Sequence, residues 1–459
     1  MIQTYSRFLP SLFIILAFAI TTISCSPAGE KSTVIVLSGG TVIDGTGRSP
    51  IPDSAVVIEG ERILQVGSSE EVVVPTGAQV ISIAGKYVIP GLADMHNHLG
   101  DGTFGPPSAS EDWSRNLARL LSFGITMVFS PEMHDMDGFT QLKQLSKDTS
   151  SRYPHFFGVG HWLTAKGGLD WQKGYSPETP EEAREAIREL KSANVDAVKF
   201  VYSDNTYALS KPNPMLSSAV MAAIVDEAHN QGLKAYVHAP ILKYAKEVLR
   251  AGGDGLVHGI ISDPIDEEFL NLMKQNRAVY MTTHSIFVAA SDLAGWARRE
   301  YEFNDQGSVP SELIEVGLDP SIAEDFEARI DNLAFIKDRI SILQANTKTA
   351  LDNGVLVVAG SDNNHGGSGI LLGLSSQLEL VLLVEAGLEP MQALQTATIN
   401  AATMVGREGD FGSVEPGKVA DLVILDANPL ENIGNIRRVF KVIKGGVLHD
   451  PEYISNGLN

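Results

Sequence analysis

The sequence predicts an α/β protein, a distorted (β/α)8 TIM barrel with a small β-sandwich formed from both termini. Two observations predict this fold. Within residues 91–408, short apolar strand patterns alternate with helical patterns, and eight such repeats favour a parallel barrel. At both ends of the chain, in residues 33–90 and 409–450, strand patterns are separated by turn signals, which predicts one β-unit built from both ends.

The predicted barrel strands are short and end at residues that can carry chemistry. They are the segment ending in Asp94–His98, then Ile125–Phe129, Phe156–Val159, Ala197–Val201, Ala235–His238, Gly255–His258, Val279–Thr283 and Leu356–Ala359. Helical patterns cover Trp113–Ser122, Glu181–Ser192, Ser218–Gln231, Ala323–Asp352 and Pro390–Ala401. An open doubly wound sheet is the alternative, but the chain has no GxGxxG or Walker sequence. The irregular stretch from Ser285 to about Ala323 is predicted to cover the barrel mouth as a lid.

The end strands of the chain are equally short. They are predicted at Val34–Leu37, Ala55–Glu59, Arg62–Val66, Gln79–Ile83, Val419–Leu425 and Val439–Ile443. Turn signals such as Asp44-Gly45 and Gly445-Gly446 separate them. The barrel at 91–408 is therefore predicted to be inserted into a β-sandwich.

The N-terminus has the layout of an export signal. Arg7 precedes an apolar run, Phe8–Ile20, that is too short to span a bilayer as a stable helix. The segment Thr22–Cys25 resembles a bacterial lipobox, so residues 1–25 are predicted to be a signal peptide with lipid attached to Cys25, and 26–32 a tether. Ordinary secretion is the alternative. Either way, the expectation is export to the bacterial cell envelope.

Composition limits the class of partner. The chain has 44% hydrophobic and 20% charged residues, as in an ordinary globular protein. A formal net charge of −21 argues against a nucleic-acid partner, because phosphate contacts require a basic surface. The expected partner is a small-molecule substrate, with a homo-oligomer left open.

Five predicted strand-end residues are of types that bind metals. His96 and His98 alternate at the end of strand one, so both side chains point to the same side. His238, His258 and Asp362 end strands five, six and eight. In a barrel the carboxyl ends of the strands share one rim, so this set predicts a site for a divalent cation such as zinc.

Several motifs carry a family resemblance. Val88–His98, Phe123–Thr126 and Gly412–Leu422 together resemble the amidohydrolase superfamily, in its imidazolonepropionase-like, prolidase-like branch. The resemblance implies two divalent metal ions, expected to be zinc. It assigns one to His96, His98 and Asp362, the other to His238 and His258, and a bridging role to a carboxylated Lys199, with an unmodified lysine and one metal as the alternative.

The resemblance also implies a mechanism. A metal-bridging hydroxide would attack an amide carbonyl while Asp362 accepts the proton. Tyr202 is predicted to donate a hydrogen bond to the oxyanion, and His161 to contact the substrate. For His284 and His365, substrate contact and a purely structural role are both left open. The predicted reaction is cleavage of a dipeptide or N-acyl amino acid. Lactone, ester or phosphotriester hydrolysis is the alternative, and a non-catalytic binding protein is the second class.

Overall fold

A computed structural model of the chain describes residues 34–99, 111–307, 309, 315, 318–328, 330–363 and 370–451. The predicted signal peptide 1–25 with Cys25, the tether 26–32 and His365 lie outside these residues. Within them, no helix has both the length and the apolarity needed to cross a bilayer. The domain limits at residues 90 and 408 stay predictions.

The two ends of the chain build one β-unit. Its strands are β1 (Val34–Val42), β2 (Ile51–Glu59), β3 (Arg62–Ser68), β4 (Gln79–Ser82), β5 (Tyr87–Pro90), β14 (Leu422–Leu425), β15 (Val439–Lys444) and β16 (Val447–His449). They are hydrogen-bonded in the order β16-β15-β14-β5-β1-β2-β3, with β4 beside β1. β14 runs antiparallel to β5, pairing Leu422 with Pro90. Apolar side chains from both ends fill its interior, among them Leu37, Val56, Val88, Ile424 and Ile443.

The barrel strands follow in chain order between these two groups. They are β6 (Leu92–Asp94), β7 (Ile125–Ser130), β8 (His155–Gly158), β9 (Ala197–Val201), β10 (Lys234–His238), β11 (Gly255–Leu256), β12 (Val279–Met281) and β13 (Leu356–Val358). All neighbouring pairs are parallel. Regular pairing gives one sheet of β6 to β8 and another of β9 to β13.

Backbone hydrogen bonds close the barrel across both gaps between these sheets. Beyond β8, Leu163 donates to Lys199 at 2.9 Å and accepts from Val201 at 2.8 Å. Beyond β13, Asp362 donates to the carbonyl of His96 at 2.8 Å. The first closure joins a residue beyond β8 to β9 itself, and the second joins residues just beyond β13 and β6. The predicted distorted (β/α)8 barrel with a β-sandwich is confirmed.

The helices lie between and after the barrel strands. They are α1 (Glu111–Ser122), α2 (Met136–Leu145), α3 (Pro180–Ser192), α4 (Ser218–Asn230), α5 (Leu242–Arg250), α6 (Glu267–Asn276), α7 (His284–Ser291), α8 (Leu293–Phe303), α9 (Pro320–Glu327), α10 (Leu333–Asp352), α11 (Leu374–Glu385), α12 (Pro390–Thr396) and α13 (Ile399–Met404). Short 3₁₀ turns cover Trp171–Lys173 and Ile433–Arg437. Side-chain caps begin several helices: Thr179 accepts from Glu182 at α3, and Asp266 from Phe269 at α6.

Three sequence predictions about helical segments were wrong. The stretch predicted as an irregular lid contains α7 and α8, because their apolar side chains, including Phe287 and Trp296, pack into the core. The predicted helix Ala323–Asp352 is interrupted between α9 and α10, where Asn332 turns the chain and donates to the carbonyl of Thr206 at 2.8 Å. The predicted helix Pro390–Ala401 is likewise split into α12 and α13.

A buried ionic cluster joins the barrel to the β-sandwich. His155 on β8 contacts the carboxylate of Asp421 at 2.9 Å, and that carboxylate accepts from the backbone of Gly445 at 2.8 Å. The fully buried Lys444 donates to the carbonyl of Thr149 at 2.6 Å. Buried hydrogen bonds therefore link the barrel to the β-sandwich. Because hydrogen bonds are directional, they restrain the relative position of the two parts more than apolar packing alone would.

Helix α8 carries a buried carboxyl group that forms no ion pair with any residue that the structure describes. Glu300 is 1% exposed and accepts from the backbone of Leu371 at 2.9 Å, just before α11. Burial raises the pKa of Glu300 from 4.5 to about 8. The folded state therefore holds this group protonated at neutral pH, and the stability it contributes is full below pH 4.5 and is lost as the pH rises through about 8.

Replacing Glu300 with glutamine should remove this pH dependence. The variant, relative to the wild type, should gain on the order of 3 kcal/mol in free energy of unfolding between pH 5 and pH 9, because an amide carries no ionisation cost. Urea denaturation at both pH values measures it. Glu302→Gln changes an exposed residue on the same helix and should show no such trend; an equal trend there would contradict the assignment.

Candidate metal centre

One cavity at the carboxyl ends of the barrel strands collects the predicted ligands. Its volume is about 470 Å³. All six predicted metal-binding residues line it: His96, His98, Lys199, His238, His258 and Asp362. The other lining residues are mostly apolar or aromatic and come from the loops after β8 and β9, from α7 and from the region around α10.

His96 and His98 lie just beyond β6 rather than on it, since the strand ends at Asp94. Their backbone is held there by Asp94, whose buried carboxylate accepts from the amide of His96 at 3.1 Å and from the side chain of Asn97 at 3.0 Å. The same carboxylate accepts the amide of Ser361, 3.0 Å away, beyond β13. One side chain thus holds together two of the strand ends that supply candidate ligands.

The close approach of these two segments explains a glycine. A Cβ added at Gly360 would lie 2.6 Å from the Cβ of His96, closer than real contacts allow. Two residues later, Asp362 has a φ of 53°, in the left-handed region that few non-glycine residues adopt. The backbone is therefore strained at the point where it turns this carboxylate into the cavity.

Asp362 is the centre of an imidazole cluster. Its Oδ1 lies 2.9 Å from Nε2 of His98 and 3.2 Å from Nε2 of His96, and its Oδ2 lies 3.6 Å from Nδ1 of His258. The rings of His238 and His258 pack at 4.6 Å between centroids. One ring nitrogen from each of His96 and His258 and one oxygen of Asp362 fall within 4.8 Å of one another.

Hydrogen bonds outside the cavity set the orientation of three imidazoles. Nδ1 of His96 donates to the carbonyl of Val257 at 2.9 Å, which leaves Nε2 without its proton in the neutral ring. His258 contacts the hydroxyl of Thr283 at 2.9 Å, and His238 contacts the amide oxygen of Asn205 at 3.2 Å.

Burial and charge tune these groups. Burial lowers the pKa of His96 to about 4 and, together with neighbouring His238, lowers the pKa of His258 well below its usual value. Burial alone would raise the pKa of Asp362, but the imidazoles of His96, His98 and His258 lower it well below its usual value. Burial therefore favours neutral imidazoles at His96 and His258, beside a carboxylate that stays ionised at Asp362, and these are the forms that bind cations.

Lys199 enters the cavity from β9. It is 2% exposed, and its Nζ lies 5.0 Å from the ring centroid of Trp162. Among the residues that the structure describes, no carboxylate lies within 4.0 Å of it; Glu132, Asp362 and Asp170 act on it from further away. Burial lowers the pKa of Lys199 as a result. A buried, unpaired ammonium is costly, so this position favours a modified or neutral amine.

Tyr202 and His161 are not brought into this cavity. The hydroxyl of Tyr202 donates to Glu247 at 2.9 Å, and its ring belongs to the layer between barrel and helices. Side chains alternate along a strand, so Tyr202, three residues after Lys199, faces the other way. His161 follows Gly160, whose φ of 64° turns the chain, and it lines an adjoining cavity of about 320 Å³.

His284 also lies outside the cavity. Its Nε2 contacts the hydroxyl of Thr347 at 2.8 Å, and burial lowers its pKa to about 3. Its backbone begins α7, where buried Glu379 accepts from the amides of His284 and Ser285, each at 2.8 Å. The role of this histidine is to start the helix that forms one cavity wall.

Sequence reasoning missed two residues at the site. Glu132, two residues after β7, contacts His134 at 3.1 Å and lies 3.8 Å from His98. Tyr207 lines the cavity, with its ring 6.3 Å from that of His238. Both follow barrel strands, so the strand-end rule could have found Glu132; Tyr207 lies six residues beyond β9, where the pattern gives no signal.

The donor set fits a divalent cation. Nε2 of His96 is buried and has no hydrogen bond of acceptable geometry, although it faces Asp362. An orphaned imidazole nitrogen beside a carboxylate and further imidazoles is the arrangement that zinc and similar ions require.

Comparison with known proteins agrees with this geometry. The sequence profile of the amidohydrolase family matches residues 87–448. An ochratoxinase from Aspergillus niger is 26% identical, covering 91% of this chain and 87% of its own. An imidazolonepropionase from Symbiobacterium thermophilum is also 26% identical, over 82% of this chain and 84% of its own.

A solved structure shows the same fold. A Xaa-Pro dipeptidase with methionine bound in its active site superposes with a TM-score of 0.71 at 22% identity. The match covers 91% of this chain and all of the other.

Removing the carboxylate of Asp94 should destabilise the protein. Asp94 accepts five hydrogen bonds, and Asp94→Ala leaves these buried donors unpaired, so we expect a loss of about 3–5 kcal/mol in free energy of unfolding. Urea denaturation measures it. Asp226→Ala, which removes an exposed ion pair with Arg184, should cost less than about 1 kcal/mol. Equal losses in the two variants would contradict the role of Asp94.

Proposed function

Because the chain belongs to the amidohydrolase family, we propose that it is a metal-dependent hydrolase of an amide bond in a small molecule. The observation that carries the proposal is the convergence of six side chains on one cavity. We assign two zinc ions to these ligands: His96, His98, Lys199, His238, His258 and Asp362.

The cations would supply Lewis-acid chemistry, lowering the pKa of a water molecule and polarising the substrate carbonyl. Lys199 serves this site best as a carbamate, formed by attack of its neutral Nζ on carbon dioxide with loss of one proton. The carbamate places two anionic oxygens where a free ammonium would repel both cations. The burial of Lys199, and the lack of an ion pair between it and any other described residue, support this assignment.

The residues of this chain divide the remaining work. Asp362, held among three imidazoles, accepts the proton of the attacking water and passes it to the leaving nitrogen. The bond of His96 to Val257 keeps its ligand nitrogen unprotonated. Trp162 covers Lys199 and limits access of bulk water. Tyr207, rather than Tyr202, is the tyrosine placed to donate to the carbonyl oxygen as its charge develops.

Metal analysis tests the ligand set. Protein expressed without residues 1–25 should hold about two metals per chain, and native mass spectrometry should show the added mass of one carbon dioxide. Lys199→Ala should lose both the added mass and at least about one metal. Lys143→Ala, which removes a lysine paired with Asp196 at 2.6 Å, should keep them. Wild-type protein that binds no metal under any loading condition would sink the proposal.

The two tyrosines provide a matched test of the oxyanion donor. In assays on dipeptides and N-acyl amino acids, Tyr207→Phe should lower kcat about 100-fold with little change in KM, since the lost hydrogen bond strengthens only as charge develops. Tyr202→Phe should stay within a few-fold of wild type, because its hydroxyl is committed to Glu247. The reverse order would return the role to Tyr202.

A further inference from the structure

The two ends of the cavity differ in chemistry. At one end lie Trp162, Leu169, Asp170 and Lys173, beside Lys199. Asp170 and Lys173 form an ion pair of 3.3 Å with side chains 33% and 47% exposed. This end therefore combines apolar Trp162 and Leu169 with two charged groups that reach solvent, and we call it the polar end.

The other end is apolar. We call it the apolar end, and define it by these lining residues: Ile286, Phe287, Ala290, Ile330 and Ile336. None of them can form an ion pair or a side-chain hydrogen bond. They belong to one hydrophobic cluster, in which Tyr207 and Ala208 are also packed. Phe287, Ala290 and Ile336 are buried, whereas Ile286 and Ile330 are half-buried and face the open volume.

The apolar end adjoins the imidazoles of one half of the metal centre. The ring of Phe287 lies 6.1 Å from that of His258, and the ring of Tyr207 lies 6.3 Å from that of His238. A substrate whose scissile amide sits among the imidazoles must therefore place one of its flanks against these side chains. A charged group there would lose its hydration without gaining a partner.

We propose that the substrate is an amide with a bulky apolar group, aromatic or branched aliphatic, on one side of the scissile bond. This inference rests on the proposed amide hydrolysis. The apolar end selects the group by burying it, while the polar end receives the other flank. Burial of one such side chain favours turnover by about 10- to 100-fold in kcat/KM over the glycine analogue.

The selectivity is tested with matched compounds. Gly-Gly, Gly-Phe, Phe-Gly, Gly-Lys and Lys-Gly, with the N-acetyl amino acids of glycine, phenylalanine and lysine, are assayed with metal-loaded wild type. A phenylalanine compound should exceed its glycine and lysine analogues by about 10- to 100-fold in kcat/KM. Equal rates within the series, or a preference for lysine, would overturn the inference while leaving amide hydrolysis intact.

A binding measurement tests the apolar end independently of the proposed hydrolysis. Calorimetry should show that 3-phenylpropionate binds the metal-loaded protein at least about 10-fold more tightly than 6-aminohexanoate. This preference with no hydrolysis of any compound would overturn the proposed reaction but support the apolar end. Equal binding of the two acids would overturn the apolar end.

Two variants locate the selecting surface. Ile330→Glu places a carboxylate at the rim of the apolar end, where the half-buried side chain can be exchanged without opening the core. It should reduce the preference for phenylalanine over lysine at least about 10-fold. Leu64→Glu adds the same charge on the exposed face of β3, at a residue that does not line the cavity, and should leave the order unchanged. The same reduction by Leu64→Glu would overturn the assignment of the apolar end.

Discussion

The site depends on one buried carboxylate that joins the first and last barrel strands. Asp94 reaches the amide of His96 on one side and both the amide and hydroxyl of Ser361 on the other, and also accepts from Ser376 on α11. The barrel closes at this joint. Since ligands follow Asp94 by two and four residues and Ser361 by one, any loosening of the joint would separate groups that must act together.

The same joint brings ionisable groups together in a buried region. Asp362 lies beside His96 and His258, whose pKa values burial lowers, and in the described part of the chain Lys199 has no carboxylate within 4.0 Å. Without cations, hydrogen-bond acceptors outnumber donors in this cluster, because the carboxylate of Asp362 faces several imidazole nitrogens that can themselves act as acceptors. Divalent ions remove that imbalance, so metal binding and stability of this region are expected to be linked.

The barrel, and the convergence of the predicted metal ligands on one cavity, could be predicted from the sequence for a definite physical reason. Parallel strands in a barrel align their carboxyl ends, so His238, His258 and Asp362 could be placed together without knowing any loop. The family resemblance added Lys199. The predictions that the structure does not support concerned residues beyond the strands, or overlooked the alternation of side chains along a strand. Tyr202 faces away because it is an odd number of residues from Lys199.

Loops and interruptions of helices were the other features that the sequence did not predict. Tyr207 enters the cavity from a loop that no periodicity describes, and the wall built by α7 had been assigned to an irregular lid. Helix α7 begins because Glu379, from a distant helix, accepts its first amides. The local sequence pattern around α7 does not show that a residue distant in the sequence caps this helix. For this reason the apolar end could not be predicted from the sequence.

The pairing of β5 with β14 has a consequence for how the chain reaches its native state. Pro90 pairs with Leu422, which is more than 300 residues later in the sequence. The sheet that the first strands form can therefore be completed only after nearly the whole polypeptide has been synthesised. Until then β5 presents an unpaired apolar edge, with Val88 and Ile89 open to other chains. Folding of such distant partners is slow, and the incomplete chain is the form most exposed to aggregation and proteolysis.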